Sequence, residues 1–240
     1  MPTSRCPTIS LAGLTLLMLA VLPAMARPLP HDRALIDGFE KIVFGTEIAG
    51  FFGGGQYVRK FTGPVRFYVE DGARKNRGGQ VRRFLFSLGR EISGLKAAFA
   101  RRAVDADFVV HVVDRADYQR VGRQIYGNPF MRVPGECIVR VQFGRRGITR
   151  SDALIVSDEG EALFRRCLIE EVLQGLGPLD DNPAAPDSVF NVDSALTVFT
   201  RYDKIMLNML YDPRLTPGMD LQRARALLPE IVRSTRRRVR

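Results

Sequence analysis

The chain has 240 residues, 45% of them hydrophobic, and a formal net charge of +10. That apolar content excludes a disordered polyelectrolyte and suits one domain with a sizeable core. The charge is almost all arginine, since only Lys41, Lys60, Lys75, Lys96 and Lys204 are lysines, and it lacks the aromatic-interleaved basic stripe of a nucleic-acid reader. No specific nucleic acid is therefore expected as a partner.

At the N-terminus, Arg5 precedes an apolar run from Ile9 to Leu22, and Ala24-Met25-Ala26 supplies a small-x-small cleavage pattern. The run is short for a membrane span, which needs about 20 residues. Residues 1–26 are therefore read as a signal peptide. The mature chain is expected to be exported to periplasm or medium, with no transmembrane segment after cleavage. Cys6 leaves with the signal, and Cys137 and Cys167 are expected to pair as a disulfide in an oxidising compartment.

"DRALIDGFEKIV" carries Leu35, Ile36, Phe39, Ile42 and Val43 at helical spacing, which predicts a helix over 33–43. Gly53 to Gly55 follow without the Gly-Lys-Ser/Thr of a phosphate loop, so residues 27–60 are read as a helix and a Gly-rich loop. The alternating "VRFYVE" (65–70) predicts a strand. "QVRRFLFSLGREISGL" predicts a helix that stops at Gly94. "DFVVHVVD" (107–114) is apolar on both faces, as a central strand must be, and "CIVRVQF" (137–143) and "DALIVS" (152–157) predict two more strands. The last runs into "LFRRCLIEEVLQGLG", a helix broken at the glycines. Loop residues lead to about Ala195, and helices are expected over 200–211 and 220–234. The Arg-rich end "RSTRRRVR" reads as a frayed tail. This order predicts an α+β fold: a mixed sheet with N-terminal helices, a motif helix after the last strand, and a smaller helical C-terminal part.

The motif helix raises the functional question. Glu170 and Gln174 lie one turn and about 40° apart, with Glu171 about 100° round, while Leu168, Ile169, Val172, Leu173 and Leu176 fill the opposite side. A helix apolar this far round is mostly buried, and buried carboxylates need partners. The glutamates either line a cleft or sit in a buried network with the "SVFN" turn or with Arg165 or Arg166.

The spacing resembles the zinc-peptidase pattern H-E-x-x-H-x-x-G-x-x-H/D of metzincins. On that frame Glu171 stands at the general-base position and Gly177 at the turning glycine, while Glu170, Gln174 and Asp180 replace the metal ligands. "SVFN" (Ser188, Phe190, Asn191) resembles the turn below the metal, with Phe190 where methionine is usual. "DKIMLNMLY" resembles the closing helix, with Asp203, Leu210 and Tyr211 at matching intervals. The wording "CLIEEVLQGLG", "SVFN" and "LYDPRLTPGM" is similar to an uncharacterised bacterial family, domain of unknown function 2927, whose members are exported and zincin-like.

The resemblance implies a zincin-like domain over 61–240, divided near residue 176 into an N-subdomain and a C-subdomain. It does not imply the usual zinc chemistry. The histidines, His31 and His111, lie outside the motif, and His111 is expected to be a hydrogen-bonded structural residue. An oxygen-only set of Glu170, Gln174 and Asp180 suits a hard cation such as calcium or magnesium rather than zinc. Three readings stand: a non-proteolytic binding or structural module for an envelope protein or polymer; a hydrolase with Glu171 as general base and an oxygen-ligated metal or none; and a basic adaptor for anionic polymers or lipid.

Overall fold

The computed structural model describes residues 28–45 and 57–239. The expected signal peptide and the Gly-rich stretch 46–56 lie outside the described residues.

Helix α1 (Asp32–Phe44) starts where the His31 Nδ1 accepts the Ala34 N–H at 3.2 Å. Leu35, Phe39 and Ile42 recur at helical spacing and are fully buried, so one apolar stripe fixes the helix against the core. Strand β1 (Val65–Asp71) follows, then α2 (Gly78–Glu91), whose first turn is capped by the Asp71 carboxylate accepting from the Arg77 and Gly78 N–H groups. The short β2 (Ala97–Phe99) and β3 (Phe108–Val113) come next. Helix α3 (Arg115–Tyr126) then ends at Gly127, whose φ of 66° is left-handed and favours glycine. Strands β4 (Cys137–Gly144) and β5 (Gly147–Val156) form a hairpin. Helices α4 (Glu161–Gln174), α5 (Arg201–Leu210) and α6 (Leu221–Arg238) complete the chain.

The five strands make one mixed sheet in the order β2-β1-β3-β5-β4. β1 is parallel to β2 and β3, β3 is parallel to β5, and β4 joins antiparallel at the edge with a register shift at Gln142/Phe143. β3 lies in the middle, as its two-sided apolar composition predicts. With six helices among the described residues, the fold is the expected α+β class with a mixed sheet. One sheet face carries the main core with α1, α2, α4, α5 and α6. The other face is covered in part by α3, through Tyr118, Val121 and Ile125 packed on Val113, Leu154 and Val156.

Three differences from the sequence reading have physical causes. Helix α3 is unpredicted because its apolar stripe is narrow, so periodicity alone gives a weak signal. Strand β5 begins five residues earlier than expected because the tight turn at Gly144–Gly147 lets it pair along most of β4. The tail is not frayed: α6 runs through Pro229 to Arg238. Thr235 and Val239 are buried, and Arg236 donates to the Pro30 carbonyl at 2.6 Å and pairs with Asp32 at 3.0 Å. Burial of that last turn holds the helix past a proline that removes one backbone bond.

Candidate functional site

Helix α4 lies between the main core and the edge strand β4. The Cys137–Cys167 disulfide joins the two, with Cα atoms 5.7 Å apart. That pairing is the one expected from the sequence. Opposite the core, Glu170, Glu171 and Gln174 face a cleft of about 750 Å³. Its other walls are β4 from Cys137 to Phe143, Tyr126 at the end of α3, the Pro134-Gly135 loop, and Leu179 and Asp181 after the helix break.

The break is at Gly177. Gly175 still closes the helix, its N–H donating to the Glu171 carbonyl at 2.9 Å, and Gly177 then takes φ 139°. A Cβ there would lie 2.3 Å from the Arg59 carbonyl oxygen, so only glycine fits this passage. The Tyr211 hydroxyl donates to the Leu176 carbonyl at 3.0 Å and ties the end of α5 to the bend. The "SVFN" turn is anchored to Asp203. The Ser188 hydroxyl donates to Asp203 Oδ1 at 2.7 Å, and the Val189 N–H lies 3.3 Å from both carboxylate oxygens. Asp203 also accepts from the Thr200 hydroxyl at 2.7 Å. A capping box at the start of α5 has the Asp203 N–H donating to the Thr200 hydroxyl at 3.1 Å and the Thr200 N–H donating to the Asp203 carboxylate at 3.4 Å. Phe190 is fully buried, and the Asn191 amide donates to the carbonyls of Pro183 and Ala185. Ser188, Asn191 and Asp203 thus belong to one bonded turn, while Tyr211 separately braces the bend at Gly177.

The ligand-position residues are only partly brought together. Glu170, Glu171 and Gln174 share the cleft, but Asp180 does not line it. Its backbone N–H lies 3.2 Å from the Ile42 carbonyl, and its side chain packs beside Gly45 at the end of α1. Asp181 is the acid that faces the cleft, and the Gln174 Nε2 donates to its Oδ1 at 3.3 Å. The third position of the spacing is therefore displaced by one residue. Among the described residues no group of three or more His, Cys, Asp or Glu side chains is placed to hold a metal. Of the ligand set that the spacing implies, Glu170 and Gln174 share the cleft and Asp180 does not.

The electrostatics of the cleft are set by burial. Desolvation pushes the Glu170 carboxyl up to about 7, with the Arg166 charge opposing and Asp181 adding to the shift. Glu171 is 5% exposed and is raised well above the usual carboxylate range, first by burial and then by the charges of Glu170 and Asp181. Arg166 Nε lies 3.6 Å from Glu170, whereas Arg165 pairs with Glu161 at 2.9 Å on the outer face. The "SVFN" turn bonds Asp203 rather than the glutamates, so of the alternative partners expected for them Arg166 is the one placed beside Glu170. Across the cleft Arg140 stacks over Tyr126 at 5.6 Å and donates to the Ile125 carbonyl, closing that wall.

Sequence reasoning misses Asp181, Arg140 and Tyr126. Asp181 adjoins the residue picked out by spacing. Arg140 comes from the edge strand β4, and Tyr126 reaches the site from the end of α3, which packs on β3 and β5. His111 is placed as a bonded strand histidine, with Nε2 3.2 Å from Asp152 Oδ1 and Nδ1 2.6 Å from Glu70 Oε2. A family model described as a protein of unknown function, DUF2927, matches residues 32–230. No curated protein and no solved structure matches the chain.

Proposed function

We propose that this chain, which belongs to the DUF2927 family, is an exported envelope protein whose zincin-like domain serves as a binding module rather than a peptidase. The observation that carries this reading is the cleft itself: a buried acidic end made by Glu170, Glu171 and Asp181, open along the edge strand β4. β4 pairs with β5 on one side only. An edge strand presents backbone donors and acceptors that an extended peptide can complete, and the acidic end suits a lysine or arginine on that peptide. The apolar run before Ala24-Met25-Ala26 supports export.

The hydrolase reading asks Glu171 to be an ionised base near neutral pH. Burial and two neighbouring carboxylates work against that ionisation, and only the Arg166 charge favours it. The basic-adaptor reading is weakened because many arginines are already paired, as in Arg66–Asp107, Arg74–Asp114 and Arg225–Glu40.

Fluorescence anisotropy with a labelled, extended decapeptide bearing one lysine tests the proposal. Binding is expected to weaken about tenfold in Asp181→Asn, as for a lost charged hydrogen bond. It is expected to strengthen as pH rises through the value near 7 at which Glu170 ionises. Absence of binding would overturn the module. Cleavage of the peptide that is lost in Glu171→Gln would replace it with the hydrolase.

A further inference from the structure

On the α3 side of the sheet, polar residues replace the apolar cluster over the lower half of the strands. β1 contributes Glu70 and β3 His111, which register sets opposite each other. β5 contributes Asp152, diagonal to His111 and two residues before its partner Leu154, with Arg150 two residues further back. Together with α3 they enclose a second cleft of about 810 Å³. Its floor is rigid. Arg150 donates to both Asp152 oxygens at 3.0 and 3.1 Å and is held by the Ala106 carbonyl at 3.0 Å, while His111 Nε2 bonds Asp152 at 3.2 Å and its Nδ1 lies 2.6 Å from Glu70. Burial alone would raise the Asp152 carboxyl, but the hydrogen bonds from His111 and Arg150 outweigh it and hold the group below its ordinary value. On the opposite wall Asp117 and Arg120 pair with each other at 2.7 Å, beside Gln124 and the partly buried Val121 and Ile125.

We propose that this cleft is a second binding site and that it takes a neutral, polyhydroxylated ligand, a saccharide chain. The charge arrangement selects that class. Three carboxylates oppose an anion such as phosphate, two guanidiniums oppose a cation, and each acid already has a nitrogen partner in the wall. What remains is a dense array of oriented donors and acceptors with a small apolar strip. Vicinal hydroxyls, each able to donate and accept, are matched by such an array. The side chains free to turn toward a ligand are the ones nearest solvent: Glu70 is 59% exposed, and Asp117 and Arg120 are 45% and 61% exposed.

The site is independent of the acidic cleft, although Gln142 of β4 borders both. Titration of the mature chain with chitotetraose and maltotetraose, followed by amide chemical shifts, provides the test, with inorganic phosphate and calcium chloride as parallel arms. At least one saccharide is expected to bind at millimolar concentration or below, shifting residues of β3 and α3. Glu70→Ala and Gln124→Ala are each expected to weaken it about fivefold, the loss of one net hydrogen bond. Glu170→Gln is expected to leave it unchanged, which separates this site from the peptide cleft. Failure of both saccharides, preference for phosphate or calcium, or binding indifferent to Glu70→Ala and Gln124→Ala would each overturn the proposal. Retained thermal stability of the two variants, both altered at the cleft rim, excludes unfolding as the cause of a loss.

Discussion

Glu170 shows how one residue couples the cleft to pH. Its folded value of about 7 lies above the ordinary 4.5, because burial penalises the charged form. Between those values the native state holds a proton that the unfolded chain has released. The stability linked to this group is therefore complete below about pH 4.5 and is lost as pH rises through 7. Glu170→Gln keeps the shape without the titration. Denaturant unfolding at pH 5 and pH 8 should show wild type losing on the order of 2 kcal/mol more than the variant over that interval. Equal slopes would mean that Glu170 reaches water more freely than its 18% exposed side chain indicates. The neighbouring acids are not equivalent: Glu171 is deeper, and Asp180 is diverted to α1 by a backbone bond that spacing cannot reveal.

At the scale of elements, the C-terminal helix decides more than its composition suggests. Read as sequence, "RSTRRRVR" is a charge run that solvates itself. In the fold, Ile231, Val232 and Thr235 continue the buried stripe of α6, and Arg236 bonds the start of α1. Truncation after Arg233 removes the burial of Thr235 and Val239 and the Arg236 contacts. It is expected to lower unfolding stability by about 2–4 kcal/mol, in the range of lost core burial plus a buried polar contact. A truncated chain as stable as the full one in a denaturant titration would refute the packing role. The main elements, α1, β1, α2, β3, α4 and α5, were legible because each carries a wide apolar stripe or a two-sided apolar run. The three-residue β2 and the narrow-striped α3 were not, since their stability comes from neighbours.

For the molecule as a whole, α1 belongs to the same core as the sheet: Leu35, Phe39 and Ile42 are fully buried with the residues of α5 and α6. Arg225 of α6 grips Glu40 of α1 with two hydrogen bonds. The chain between α1 and β1 is therefore bridged by packing at both ends. Native-state hydrogen exchange should give the Phe39 and Ile42 amides an opening free energy equal to that of Val110 in β3. Lower protection in α1 alone would make it a separately opening unit. The disulfide acts on the same scale. It closes a 30-residue separation and on chain-entropy grounds contributes about 3–4 kcal/mol, while fixing one wall of the acidic cleft.

The sequence by itself determined the α+β class, the central strand and the break at Gly177. It also determined that carboxylates and an amide stand where the resemblance calls for imidazoles. Periodicity, composition and residue identity are properties of the chain alone. Only the tertiary structure decided that Asp181 replaces Asp180 at the cleft and that α3 and β4 bring Tyr126 and Arg140 to it. It also decided that Glu70, His111 and Asp152 meet across three strands. Those meetings depend on strand register and on which face a helix returns to, and long-range packing sets both.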